Sequence, residues 1–81
     1  SYYKPSQLLS IFNLTEDKAK AVIKKDISDF DLINGEETLD IDATISGVSF
    51  DNLYVNKLGK LSIGVLVKSS EKDYNYDVVL N

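Results

Sequence analysis

Apolar residues along this chain recur first every three or four positions and then, past about residue 30, every second position. Leu8, Leu9, Ile11 and Phe12 share one face at helical spacing. Pro5 suits the first turn of that helix, where its missing N–H is not needed, and Asn13 is a natural stop. Thr15 reads as the N-cap of a second helix, with Glu16 and Asp17 set against the positive end of its dipole. Leu14, just before the cap, is placed to staple onto Ala19. Ala19, Val22 and Ile23 form the apolar stripe, and Lys20, Lys24 and Lys25 gather at its expected C-terminal end.

After Asp26 the pattern changes. Phe30 and Leu32 alternate with acids and lead to Asn34-Gly35, a pair that tolerates positive φ and signals a hairpin. Leu39, Ile41, Ala43 and Ile45 alternate with Asp40, Asp42, Thr44 and Ser46, which predicts a half-buried strand. The phase slips at Gly47, where a bulge would bring Val48 and Phe50 back to the inner face. Residues 51–59 read as a loop carrying Leu53, Tyr54 and Val55. Leu61, Ile63, Val65 and Val67 predict another strand, with Gly64 on its outer face. Tyr74, Tyr76, Val78 and Leu80 predict the last, with Tyr74 and Tyr76 facing the core. Helices segregated from strands in this way imply an α+β fold. Two N-terminal helices are expected on one face of a three- or four-stranded antiparallel sheet, and residues 1–81 form one domain.

Composition narrows the chemistry. The chain contains no His, Cys, Met or Trp, and all nine of its basic residues are Lys. Imidazole, the commonest general acid–base and neutral metal ligand, is therefore absent, as are thiolate chemistry and the guanidinium fork. An enzyme is not expected, nor is a cofactor. Charge is segregated along the sequence. Residues 1–25 carry +3, the segment Asp26 to Asp51 carries −8, and the remainder +1, within a net charge of −4. Such a chain is repelled by phosphate backbones, so nucleic acid is not an expected partner. No apolar run is long enough for a membrane span. The sequence opens at Ser1 without Met, as expected of a fragment of a larger protein.

Four local patterns invite a functional reading. Asp29, Asp31, Asn34 and Gly35 approach a calcium loop. Counted from Asp29, however, position five is Ile33 and the glycine falls one place late, so a solvated acidic stretch is the better reading and no metal site is assigned. Asp40 and Asp42 would stand about 6–7 Å apart on one strand face. Alternation alone explains them as its wet side. Leu58-Gly59-Lys60-Leu61 lacks the first glycine of a phosphate-binding loop and precedes a strand. Tyr2, Tyr3 and Tyr54, in a terminus and a loop, are the candidate protein-binding residues, since exposed aromatic rings anchor interfaces. The competing reading has them packed at the sheet edge with only their hydroxyls wet.

The order Lys4-Pro5-Ser6, a short helix, Ile27-Ser28-Asp29-Phe30-Asp31-Leu32, Ile45-Ser46-Gly47-Val48-Ser49, Gly59-Lys60-Leu61 and a closing strand resembles the lipoprotein-associated domain of mycoplasmas and ureaplasmas. The resemblance implies a non-catalytic extracellular module of a surface lipoprotein, a spacer or a surface for host or neighbouring proteins. Its membrane attachment would be a lipid anchor N-terminal to this sequence. It carries over no site residue. The other expectation is an intracellular or phage-derived interaction or inhibitor module that offers the edge of its last strand.

Overall fold

The computed structural model describes residues 3–34 and 38–81, with the side chains of residues 32–34 left aside. Helices α1 (Pro5–Ile11), α2 (Glu16–Asn34) and α3 (Ile41–Ser46) precede strands β1 (Leu53–Val55), β2 (Leu61–Val67) and β3 (Tyr74–Val79). The strands form one antiparallel sheet in the order β1-β2-β3. The expected α+β arrangement is present, with three strands.

Helix α1 begins and ends on the predicted residues, and α2 begins on its predicted cap. Pro5 opens α1, and the Lys4 N–H donates to Gln7 Oε1 at 2.9 Å. Asn13 takes φ +58°, turning the chain left-handed, so that the Asn13 and Leu14 N–H groups donate to the carbonyls of Ser10 and Leu9. That pairing satisfies carbonyls the helix end would otherwise leave open. Thr15 caps α2, its Oγ1 accepting from the Lys18 N–H at 3.2 Å. Leu8, Leu9, Phe12 and Leu14 pack on the core, whereas Ile11, expected beside them, is exposed.

Several elements differ from expectation. Helix α2 continues through Phe30 and ends at Asn34, so the period-two reading of Phe30 and Leu32 is wrong. Ala19, Ile23 and Ile27, four residues apart, are fully buried and carry the helical stripe one turn further. Burial of each isoleucine contributes about 1.5–3 kcal/mol. Lys24 and Lys25 lie mid-helix, and Lys25 instead pairs with Asp29 at 2.9 Å. Asn34 closes a helix and does not begin a hairpin. Gly35 lies outside the described residues.

Of the strand predicted over residues 39–46, Ile41–Ser46 is a helix and Leu39 makes an isolated antiparallel bridge with Ser69. Asp40 Oδ1 accepts from the Ala43 N–H at 3.0 Å as an N-cap, and Gly47 is the C-cap, not a bulge. The alternation misled because Ile41, Thr44, Ile45 and Val48 also fit helical spacing, and the β-branched residues favour a strand locally. Residues 51–59, expected to be a loop, hold β1 and a tight turn, preceded by a short 3-10 helix (Phe50–Asn52). In the turn Asn56 Oδ1 accepts from the N–H groups of Leu58 and Lys60, and Gly59 takes φ +75°. A side chain at that backbone angle is strained, so glycine is required by conformation.

Strand β2 is the centre of the core. Leu61, Ile63, Val65 and Val67 are buried against the helices, joined by Val78 and Leu80 from the β3 side. Register fixes where its backbone groups point. The Leu80 N–H donates to the Leu61 carbonyl at 2.8 Å, so odd-numbered β2 residues face β3 and even-numbered ones face β1. β1 reaches only as far as Ile63 along β2. Past the end of β2, α3 and its lead-in close the same edge. Lys68 donates its N–H to Thr44 Oγ1 at 2.9 Å, and its carbonyl accepts from the Asp40 N–H at 2.8 Å. Thr44 Oγ1 in turn donates to the Asp40 carbonyl at 2.8 Å. Thr44 is 1% exposed because it seals this edge.

Replacing Thr44 with Val removes the acceptor for the Lys68 N–H and should lower stability by about 1–3 kcal/mol. Thr44→Ser should recover most of it. Urea unfolding midpoints of the three proteins check this; equal midpoints for Val and Thr would show the hydroxyl is idle.

Candidate interaction surface

The two sides of the sheet are unlike. The inner side meets the helices. The outer side is built by residues that alternate with the core positions, and register places them in three rows: Tyr54, Ser62 and Val79; Gly64 and Asp77; Leu66 and Asn75. Leu66 and Val79 are 48% and 49% exposed, and Tyr54 is 40% exposed. Ser62 is buried within this face, accepting from Asn56 Nδ2 at 3.3 Å. A Cβ at Gly64 would meet Asp77 Oδ1 at 3.5 Å, ordinary contact, so this glycine leaves the middle row low without being sterically required.

Tyr54, read from sequence as a loop residue, therefore stands on a strand. Its phenol is pushed above the usual range by partial burial, then by the negative charge and hydrogen bonding of Asp77 across the sheet, with Ser62 acting in the opposite direction. Tyr3 is 59% exposed ahead of α1. Tyr2 lies outside the described residues. Of the two described, Tyr3 precedes α1 and Tyr54 has a place on the sheet, so these two do not lie on one element. The residues beside Tyr54, Leu66, Asp77 and Val79, were passed over in the sequence because outward positions of a strand ordinarily carry no message.

The edges of the sheet also differ. β1 is three residues long. β3 is six residues long and flanks β2 on one side only. Because Leu80 bonds to β2, alternation directs the backbone of Tyr74, Tyr76 and Val78 toward β2. The N–H and C=O groups of Asn75, Asp77 and Val79 face outward.

Beneath β3, Tyr76 turns inward. Its ring lies 5.1 Å from that of Phe30, and Phe30 lies 6.5 Å from Tyr74. Offset, tilted rings at these distances attract beyond their buried area. Burial raises the Tyr76 phenol first, and its hydrogen bond to the Asp26 carboxylate raises it further. This aromatic seam ties the C-terminal half of α2 to β3.

The polar candidates elsewhere have structural roles. Asp40 caps α3 and Asp42 lies in its first turn, so they are not a pair on one strand face. Asp29 pairs with Lys25 on the surface of α2. Among the described residues no group of three or more His, Cys, Asp or Glu side chains converges as metal ligands would. A shallow hollow lined by Lys24, Thr38, Asp40, Ile41 and Ser69 lies between α2 and the lead-in to α3. The Gly59-Lys60 pair belongs to the β1–β2 turn. No described helix is long and apolar enough to cross a membrane.

The structure defines the chain as an α+β domain with one covered and one open sheet face. Comparison with protein-family models, curated proteins and solved structures finds nothing that matches it.

The phenol of Tyr76 holds its proton more tightly in the fold than when unfolded, where it titrates near 10.0. Its contribution is therefore complete below that pH and is lost as pH rises through the folded value. Urea midpoints should fall above about pH 10, and Tyr76→Phe should flatten that decline. An unchanged slope in the variant would remove Tyr76 as its source.

Proposed function

We propose that this chain is a non-catalytic protein-binding module of a mycoplasma-type surface lipoprotein, and that it takes its partner along the open side of the sheet. The observation that carries the binding half is the β3 edge. Three residues present unpaired-type backbone groups outward beside the apolar side chains of Leu66 and Val79. Proteins that keep a sheet edge out of contact usually shorten it, charge it with Lys or break it with Pro. Residues 74–79 contain no Lys and no Pro. The lipoprotein half is supported by the resemblance of the sequence strings from Lys4 to Leu61, which also implies host or neighbouring surface proteins as partners.

The same edge favours a second reading, an intracellular or phage-derived inhibitor that adds its strand to a target's sheet. The two part on location. A lipobox Cys upstream in the parent gene, with partition of the parent protein into the detergent phase, is expected of the first and is incompatible with the second.

Binding is tested by placing a photo-activated cross-linking residue at Val79 or Leu66, with Ser10 on α1 as control, in the parent protein within its native cells. Protein adducts should concentrate at the two sheet positions. Equal yields at all three, or none, would leave a spacer as the role.

A further inference from the structure

We propose that the β3 edge and the adjacent flank of α2 form a groove for an extended polypeptide carrying two neighbouring basic residues. This rests on the reading of β3 as a docking edge and names the chemistry of its occupant.

The groove follows from the wheel of α2. Ile23 and Ile27 face the core. Lys24 falls on one flank of that stripe and lines the hollow beside Asp40, at the lead-in to α3. Val22, Asp26 and Asp29 fall on the opposite flank at 3.6-residue spacing. With Ala21 and Lys25 they line a second shallow hollow. Phe30, one turn after Asp26, shows which element this part of α2 approaches, because its ring lies 5.1 Å from that of Tyr76 in β3, whose phenol is raised by burial and then by Asp26. One flank of α2 is thus closed by the lead-in to α3, and the other lies under the open edge.

A strand added beside β3 bonds to the outward N–H and C=O groups of Asn75, Asp77 and Val79. Its side chains then alternate between the two faces of the enlarged sheet. On the outer face, its neighbour is Asp77, the one charged side chain of β3. On the inner face, its neighbour is Tyr76, packed on Phe30 of α2 with Asp26 one turn before it. Asp29 on the rim is paired with the cation of Lys25, whereas Asp26 and Asp77 are set against the neutral phenols of Tyr76 and Tyr54. Two carboxylates therefore flank the edge, one above it and one below. Because consecutive residues of a strand point to opposite faces, adjacent basic residues reach both. Two basic residues separated by one would put both charges on one face and meet one acid only. The net charge of −4 favours approach of such a segment.

The test uses the 81-residue chain, labelled for amide NMR, and three synthetic eight-residue peptides rich in Thr and Val. One carries a central Lys-Arg pair, one Lys and Arg separated by a Thr, and one a Glu-Glu pair. Shifts at Asn75, Asp77 and Val79 are expected with the Lys-Arg peptide at up to about 1 mM, with weaker binding of the separated pair. Asp77→Asn and Asp26→Asn should each weaken the Lys-Arg peptide roughly two- to fivefold, as expected for exposed charge pairs. Val79→Pro should abolish binding while leaving the β2 ladder intact, since the Val79 N–H points away from β2. Edge shifts that are equal for all three peptides would overturn the basic-pair chemistry but leave β3 as a docking edge. Absence of shifts with every peptide would overturn both. Shifts that grow with protein concentration alone would overturn the proposal in favour of a second copy of this chain.

Discussion

Strand β2 is the middle strand and buries its core side chains under the helices, so wherever neighbouring chain excludes water its backbone groups must find partners inside the protein. An unpaired buried N–H or C=O costs roughly 1–3 kcal/mol, a large part of what a domain of this size has to spare. β3 satisfies one side of the strand along its length. On the other side β1 stops early, and the chain supplies Thr44 and the backbone of Asp40 just beyond β2. This one requirement explains why residues 38–46 form a lead-in and a short helix beside the sheet instead of a strand. It also explains why Thr44, a polar residue, is among the most buried in the chain.

The same requirement gives the molecule its asymmetry. Past the end of β2, α3 and its lead-in close the side that β1 leaves open, whereas β3 is an edge strand whose outward groups are taken up by no described strand. The aromatic contacts of Phe30 with Tyr74 and Tyr76, with Asp26 at the Tyr76 hydroxyl, hold α2 beneath that open strand. Rigid support under an unpaired strand is what strand addition needs, because the incoming segment then bears most of the ordering cost alone. The functional proposal therefore grows out of the way the core is closed.

The chemistry of the side chains agrees with a binding role and supplies little else. Asp40 is placed as a cap, Lys25 with Asp29 and Lys68 with Asp73 as surface pairs, and Tyr54 with Asp77 across the sheet. Recognition by such a surface depends on shape, on backbone hydrogen bonds and on two acids set on opposite faces of one strand. These are modest terms individually, and specificity would come from their register.

The sequence by itself determined the elements whose signals are local. Pro5, Asn13 and Thr15 act through their own backbone and caps, so the limits of α1 and the start of α2 were legible, and the two strands with unbroken alternation, β2 and β3, were legible from period alone. The inward placing of Tyr74 and Tyr76 followed from it. Tertiary structure decided the rest. Residues 26–34 and 39–46 carry patterns compatible with both periods, and the choice of helix came from burying Ile27 against the sheet and from the Lys68 N–H needing Thr44. Tyr54 became a strand residue because β2 offered it a partner at Ser62. The candidate surface was hidden for the same reason. Asp26 and Asp77 are fifty-one positions apart in sequence, and only the packing of α2 under β3 brings one carboxylate to each face of the same edge.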